Sequence, residues 1–478
     1  MDTKLFTTSA ADLQKAAELL KDGKRVVFPT ETVYGLGANA LDTDAVKSIF
    51  EAKGRPSDNP LIVHIAELSQ LDDLTDEVTE KAKALIDTFW PGPLTIILKR
   101  KNNIPDTVTA GLNTVGIRMP ENPVARELIY LSGVPVAAPS ANISGRPSPT
   151  DANYVIEDMM GRVEGIIDGG NCSVGVESTV IDMTGEIPTI LRPGGVTAEE
   201  IAEVIGEVIG GKEKAEDKET PKSPGMKYTH YAPKAPVRIL RGTVAEIENF
   251  LNSRPCKCGI LTFDEINLNT DAEIISLGSI KNPNECARNL FRSLRDMDKL
   301  DVCEIYAPEI GTDGLWAAVK NRLYKAAGGK IINATDREIV FVCTGNTCRS
   351  PMAEGIFNNL PNKGYFSTSA GIYAADGNKA SDNAIATLSG RKIDIKNHRA
   401  RAFTPEILHA AHLVLTMTNN HKDAIITAFP EFSHKVNTLS EAASENKDVS
   451  DPYGGDIDVY RLCADEITKY IKEIYNNL

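Results

Sequence analysis

Several features are missing from this 478-residue sequence, and each absence removes a class of protein. No apolar run approaches the ~18 residues that cross a bilayer, and no charged-then-apolar leader opens the chain; the expectation is a cytoplasmic protein with no membrane partner. There is no positive excess: the formal charge is −14, which argues against broad nucleic-acid binding and leaves room only for a local basic site. There is no cysteine framework. The eight cysteines are scattered without zinc-site or disulfide spacing, and Cys256 and Cys258 are too close together for a zinc knuckle. A reducing compartment suits them. His409 and His412 place two imidazoles on one helix face, but with no third ligand they read as surface. No internal repeat is present. With 42% hydrophobic and 25% charged residues, what remains is an ordinary globular protein whose length suggests about three domains.

The densest chemistry lies at Ile339-Val340-Phe341-Val342, which runs into Cys343-Thr344-Gly345-Asn346-Thr347-Cys348-Arg349-Ser350 and then a helical pattern. A buried strand that delivers a thiol to a tight loop turns backbone N–H groups inward, and the following helix adds its positive dipole end. Cys343 stands where a bound phosphate meets a nucleophile, and Arg349 where its equatorial oxygens meet a bidentate cation. Thiols in such cradles react as thiolates. Near the C-terminus, Pro452 restricts the backbone beside Asp451, which helps aim a carboxyl.

This arrangement resembles the low-molecular-weight protein tyrosine phosphatases, with their C-x(5)-R-S loop and late Asp-Pro loop. Ser369-Ala370-Gly371, His398–Arg401 and Val414–Met417 support the resemblance, which covers residues 337–478. It implies a doubly wound parallel sheet and covalent catalysis without a cofactor. Cys343 attacks phosphorus, Arg349 holds the phosphate, Asp451 protonates the leaving group, and water hydrolyses the cysteinyl-phosphate. Thr347, directly before the second cysteine, matches the branch that resembles protein arginine phosphatases. Its hydroxyl suits a guanidinium-type group, which favours phosphoarginine in phosphoproteins over phosphotyrosine; the competing reading of Thr347 is a helix cap. The family also suggests a reversible Cys343–Cys348 disulfide, subject to geometry. An arsenate reductase would need resolving cysteines in a mobile segment, whereas Cys463 lies in a helical pattern. A phosphopeptide-binding pseudo-enzyme would not need the thiol.

The rest of the chain alternates strand and helix patterns. Arg25–Phe28, Leu61–Ile65, Leu94–Leu98 and Val134–Ala137 read as strands, Ala10–Lys21 and Asp44–Lys53 as helices. Gly210–Pro221 is charged and linker-like. A smaller α/β unit spans 236–332, with strands near Val237–Leu240 and Gly259–Phe263 and a helix from Pro283 to Asp298; Asn333–Asp336 is a short joint. In the first unit, Phe28–Gly37 mixes hydroxyls with glycines, Lys53-Gly54-Arg55 offers two cations, and Pro139–Gly145 offers hydroxyl and amide groups. Val176–Val180 and Leu191–Gly195 add a hydroxyl pair and one more arginine.

Together and in this order these segments resemble the YrdC-like threonylcarbamoyl-AMP synthases over residues 5–332. The resemblance implies a YrdC-like twisted α/β sheet domain (1–208), a linker and active-site lid (209–235, the lid being 223–233) and an accessory α/β domain (236–332) ahead of the phosphatase (337–478). Asn321-Arg322-Leu323 matches the end of the accessory domain and is assigned no chemistry. The implied reaction condenses L-threonine, bicarbonate and ATP, with magnesium on the ATP phosphates, into threonylcarbamoyl-adenylate and pyrophosphate. The product feeds tRNA modification, so tRNA is only an indirect partner. Thr32, His64, Arg118 and Ser178 would hold threonine; Lys53, Arg55, Asn59, Ser140, Ser148, Arg192 and Tyr231 would hold ATP. The competing reading of this half is a non-catalytic nucleotide- or RNA-binding module.

Overall fold

The computed structural model describes residues 1–210 and 231–478. Nearly all of the expected linker, and the expected lid up to His230, lie outside the described residues. Three α/β units follow one another along the chain, each built on its own sheet. The first sheet has ten strands, in the order Lys4–Phe6, Gly165–Ile167, Val26–Phe28, Gly35–Asn39, Val136–Ala138, Ile62–His64, Thr114–Arg118, Leu94–Lys99, Thr179–Asp182 and Thr189–Arg192, with parallel and antiparallel pairs mixed. Its helices form where the sequence pattern places them. Ala10–Lys21 starts at Ser9, whose hydroxyl accepts from the Asp12 N–H, and buries Leu13, Ala16, Ala17 and Leu20 at helical spacing. Thr43–Lys53 is capped by Asp42 and stopped by Gly54, whose φ of 60° is left-handed. That stop turns Lys53 and Arg55 in different directions.

The second sheet is all parallel, in the order Glu273–Ser276, Cys258–Thr262, Glu304–Pro308, Val237–Arg241 and Ile331–Asn333. Helices Pro283–Met297 and Trp316–Ala326 cover it. The apolar core of this unit takes in Val33, Val176 and Tyr231 from the first half of the chain. Arg295 reaches across to Asp158 at 2.7 Å and to the Pro147 carbonyl at 2.6 Å. The two units are therefore docked through both apolar and ionic contacts.

The third sheet is also all parallel, in the order Tyr365–Gly371, Arg337–Cys343, Leu413–Thr416 and Val436–Thr438. Its central strand alternates faces. Ile339, Phe341 and Cys343 pack under helices Arg349–Asn358 and Ile457–Asn477, while Val340 and Val342 face Pro405–Ala410 and Asn419–Ala428. Both faces are covered, as a doubly wound sheet requires.

Two expectations are corrected. The helix carrying His409 ends at Ala410, so His412 lies beyond it; His409 packs on Phe432 and His412 on Tyr365, and the two imidazoles do not share a face. The cysteines are not without a disulfide, for Cys256 and Cys303 are joined, their Cα atoms 6.3 Å apart. Their separation of 47 residues hid the pair, which the sheet brings together by placing Cys258–Thr262 beside Glu304–Pro308. No helix among the described residues is long and apolar enough to cross a membrane.

Candidate active sites

In the first unit, the loop after Val26–Phe28 carries Thr30, Glu31 and Thr32 inward, all of them buried. Arg118, at the end of its strand, donates to Thr32 Oγ1 at 2.9 Å and to Glu31 Oε1 at 2.5 Å, and its Nε reaches the Gly92 carbonyl. His64 pairs with Arg118 across the parallel ladder. Burial, reinforced by the Arg118 cation, pushes His64 down to about 3, so its imidazole is neutral at ordinary pH. Ser178 bonds Thr95 at 2.8 Å and accepts from Arg192 at 3.1 Å. Thr32, His64 and Arg118 thus converge, and Ser178 joins Arg192.

The residues expected on the ATP side form a neighbouring cluster. Burial lowers Arg55 and Arg192 to about 10, and both guanidinium groups remain charged at ordinary pH. Tyr231 sits at φ 68° with its ring 5.0 Å from that of Phe291, and burial followed by the Glu177 charge raises its phenol to about 12. Ser148 donates to Glu177 Oε1 at 2.7 Å. Arg322, fully buried on the second unit, donates to Glu177 Oε2 at 3.0 Å and to the Pro193 carbonyl. Burial alone would raise Glu177, but Arg322 and then Arg192 outweigh it and hold the carboxyl at about 2. Lys53 is committed to the loop it faces: its ammonium donates to the carbonyls of Ser140 and Asn142, while Ser140 bonds the Asn142 side chain. Burial and the Arg55 charge push Lys53 well down. Asn59 is buried beside Arg55, which reaches its carbonyl at 3.3 Å.

Five buried polar atoms around these clusters have no hydrogen-bond partner among the described residues: Glu31 Oε2, Arg55 Nε, Asn59 Oδ1, His64 Nδ1 and Arg322 Nη2. Unsatisfied buried groups are costly, and gathered like this they mark a surface shaped for a polar ligand. Sequence reasoning missed Glu31, Glu177 and Arg322. Glu31 lies inside a quoted motif, and Arg322 lies in a segment that had been assigned no chemistry. No local pattern connects Arg322 to Glu177, 145 residues away.

In the third unit, Cys343 ends the central strand and is only 3% exposed. Its sulfur lies 3.0 Å from Ser350 Oγ and accepts the Asn346 N–H at 3.3 Å. Asn346 holds the loop in a left-handed turn at φ 52°. Its amide donates to Ser350 and Ser369 at 2.9 Å each, and its Oδ1 accepts the Arg401 N–H. Arg349 opens the next helix and pairs with Asp451 at 2.7 Å, while Asp451 itself is 52% exposed. Arg349 and Asp451 are thus paired, and Cys343 stands at the start of the loop that leads into Arg349. Cys348 is the N-cap of that helix with no side-chain cap bond, and the Thr347 hydroxyl lies 3.7 Å from the Cys348 sulfur. The helix-cap reading of Thr347 is not what the loop does. Cys343 and Cys348 are both free thiols, and Cys348 faces Ser381 and the Tyr460 hydroxyl. The polar support of the loop by Asn346, Ser350 and Ser369 was not anticipated, although Ser369 lay in a segment already singled out.

Comparison with known families matches residues 18–194 to the Sua5/YciO/YrdC family, described as telomere recombination. Residues 196–328 match the threonylcarbamoyl-AMP synthase C-terminal domain, and residues 338–478 the low molecular weight phosphotyrosine protein phosphatases. The threonylcarbamoyl-AMP synthase of Bacillus subtilis (strain 168) is 50% identical over 335 residues, which cover 69% of this chain and 97% of that protein. The protein-arginine-phosphatase of the same strain is 39% identical over 145 residues, covering 30% of this chain and 96% of that protein. Among solved structures, P. abyssi Sua5 complexed with L-threonine aligns at a TM-score of 0.65 with 47% identity, covering 70% of this chain and 99% of that one.

Proposed function

Because this chain belongs to the threonylcarbamoyl-AMP synthase family through residues 18–194 and 196–328, and to the low-molecular-weight phosphotyrosine protein phosphatase family through residues 338–478, we propose that its two sites run two separate reactions on named substrates. The chain is a bifunctional enzyme. In the first reaction the amine of L-threonine forms a C–N bond to the bicarbonate carbon as a C–O bond breaks and water leaves, giving a carbamate; a carbamate oxygen then attacks the α-phosphate of ATP, a P–O bond breaks and pyrophosphate leaves. Arg118 offers its cation to the threonine carboxylate, with Thr32, neutral His64 and Ser178 around the rest of the amino acid. Arg55, Arg192 and Asn59 face the nucleotide, and Ser148, Ser140 and Tyr231 complete its pocket, with Lys53 bracing the loop beneath it. Of the carboxylates here, Glu177 is engaged through both oxygens, with Ser148 and Arg322, and Glu31 through one, with Arg118. That donor set suits a magnesium ion carried on the ATP phosphates better than one held in a protein cage.

In the second reaction the Cys343 thiolate attacks phosphorus as the bond to the leaving group breaks, and Asp451 gives that group its proton. Water then cleaves the S–P bond and releases phosphate. Ser350 steadies the sulfur as a nucleophile and as a leaving thiolate. Phosphoarginine is the preferred substrate, since the Thr347 hydroxyl is not used as a cap; phosphotyrosine is the alternative.

The observation that supports this reading is the set of groups each site brings together: a thiol in a tight loop followed by an arginine paired with a carboxylate in one, and buried cations with polar atoms unpartnered among the described residues in the other. The test uses the full chain. Pyrophosphate release should require both threonine and bicarbonate; release without either would leave only a nucleotide-binding module. Phosphoarginine should be turned over faster than phosphotyrosine, with Thr347→Ile shifting the ratio toward phosphotyrosine by about tenfold. An unshifted ratio would remove Thr347 from specificity.

A further inference from the structure

The second unit meets the phosphatase through charges that neither site uses. Arg238, on strand Val237–Arg241, and Lys330, just before the paired strand Ile331–Asn333, both point at Glu354 on the phosphatase helix, at 3.6 and 3.8 Å. The other carboxylate oxygen of Glu354 accepts the Ser369 hydroxyl at 2.7 Å. Ser369 in turn accepts from the Asn346 amide, and the Asn346 N–H points at the Cys343 sulfur. Five contacts thus join two cations of the synthase half to the nucleophile of the phosphatase half.

We propose that Arg238 and Lys330 are positioning residues for the phosphatase reaction, holding Glu354 as an oriented anion so that Ser369 and Asn346 keep the Cys343 loop in its left-handed turn. The inference rests on the phosphatase reading above. Its physical basis is geometric: Glu354 is largely buried, with one oxygen facing Arg238 and Lys330 and the other accepting from Ser369. Burial pushes it up, while Lys330, His398 and Arg238 outweigh burial and bring it below its ordinary value. Two of those three groups, Arg238 and Lys330, belong to the other half of the chain. The third, His398, lies 3.9 Å from Glu354 and also bonds the Asn346 carbonyl at 2.8 Å.

The groups facing Glu354 fix the sign of the pH effect. From the second unit they are Arg238 and Lys330; from the phosphatase they are His398 and the Ser369 hydroxyl, with Arg401 beside His398. Removing Arg238 and Lys330 removes two charges that favour the carboxylate, so Glu354 takes up a proton at higher pH. Lys330 also lowers His398, so His398 becomes protonated at higher pH too. Both changes move the acid limb of the phosphatase pH profile upward.

The test is Arg238→Met/Lys330→Met in the full chain, assayed with para-nitrophenyl phosphate across pH and with iodoacetamide at Cys343. The expected result is a kcat lower by about fivefold with KM unchanged, an acid limb displaced upward, and a changed Cys343 alkylation rate. Arg238→Lys/Lys330→Arg, which keeps both charges facing Glu354, should retain most of the kcat and the unmutated acid limb; a loss in this variant equal to that of the Met double variant would overturn the proposal in favour of general loosening of the interface. An unchanged kcat, acid limb and alkylation rate in the folded double variant would overturn the proposal. If the double variant does not fold, Lys330→Met alone, at a side chain 33% exposed, carries the same reading at smaller amplitude. If the unmutated chain turns over no phosphate ester but its alkylation rate still responds to the double substitution, the positioning contact stands and the phosphatase reading falls.

Discussion

The two sites are assembled by opposite arrangements of chain. The phosphatase site takes its nucleophile, its cation and its backbone cradle from the seven residues Cys343 to Arg349, and brings in one carboxylate, Asp451, from far along the chain. The proposed synthase site draws on eleven residues between Thr32 and Tyr231, and its buried Glu177 takes its main counter-charge, Arg322, from a second unit. A site made from one loop depends on that loop's conformation. A site made from many segments depends on the docking of whole units, so its chemistry and its stability cannot be separated.

The largest expected effect tests the concentrated side of this contrast. Cys343→Ser should lower para-nitrophenyl phosphate hydrolysis by about 10⁴-fold or more, because the attacking atom is the residue itself. Pyrophosphate release by the same protein should stay within about twofold. A parallel loss of both activities would mean that the two sites are not independent. The next effect tests the distributed side. Arg322→Met leaves Glu177 buried beside Ser148 without its main partner, and breaking a buried pair in this way costs about 4 kcal/mol. Denaturant unfolding of the synthase half should shift by that order, and the KM for ATP should rise. Unchanged stability would show that the pair is dispensable and that the first unit holds its site without the second.

The smallest effect concerns pH. His64 is neutral and buried, at about 3 against an ordinary value of 6.5. The unfolded chain therefore takes up the proton first. The stability contributed by neutral His64 is complete above pH ~6.5 and is lost as pH falls toward about 3. At pH ~5 the loss is about 2 kcal/mol. His64→Gln should flatten the dependence of unfolding midpoint on pH between about 7 and 5; an equal slope in both proteins would mean that His64 is hydrated in the folded state.

The same contrast explains what could be read before the structure. The phosphatase loop was legible because strand, thiol, glycine, cation and helix follow one another without a gap, and each restricts the next. In the synthase half, the elements were legible to within a few residues: Ala10–Lys21 forms as its apolar spacing predicts, and Leu94–Leu98 runs one residue further, to Lys99. Glu177 and Arg322 were not legible as a pair, since the contact depends on two units docking and leaves no periodic trace in either segment. Lys53 read as a phosphate clamp, yet its ammonium is bound to two carbonyls, because a lysine at a helix end next to a turning loop finds backbone oxygens within reach. The Cys256–Cys303 pair escaped for the same reason as Arg322, as its proximity comes from strand order and not from spacing.

The joint between the second and third units has a consequence of its own. Strand Ile331–Asn333 ends three residues before strand Arg337–Cys343 begins, and the turn between them is bound by Asp336, which accepts from the Asn333 backbone at 2.8 Å and from the Asn362 side chain at 2.6 Å. Three residues span about 10 Å at full extension, so the phosphatase cannot leave the synthase by more than its own ionic seam could close again. The two surfaces meet at an effective concentration set by this tether and not by how much protein is present. Dilution has no hold on the seam; ionic strength does, and so do the charge states of Glu354 and of Glu338, which Arg254 of the second unit meets at 2.6 Å.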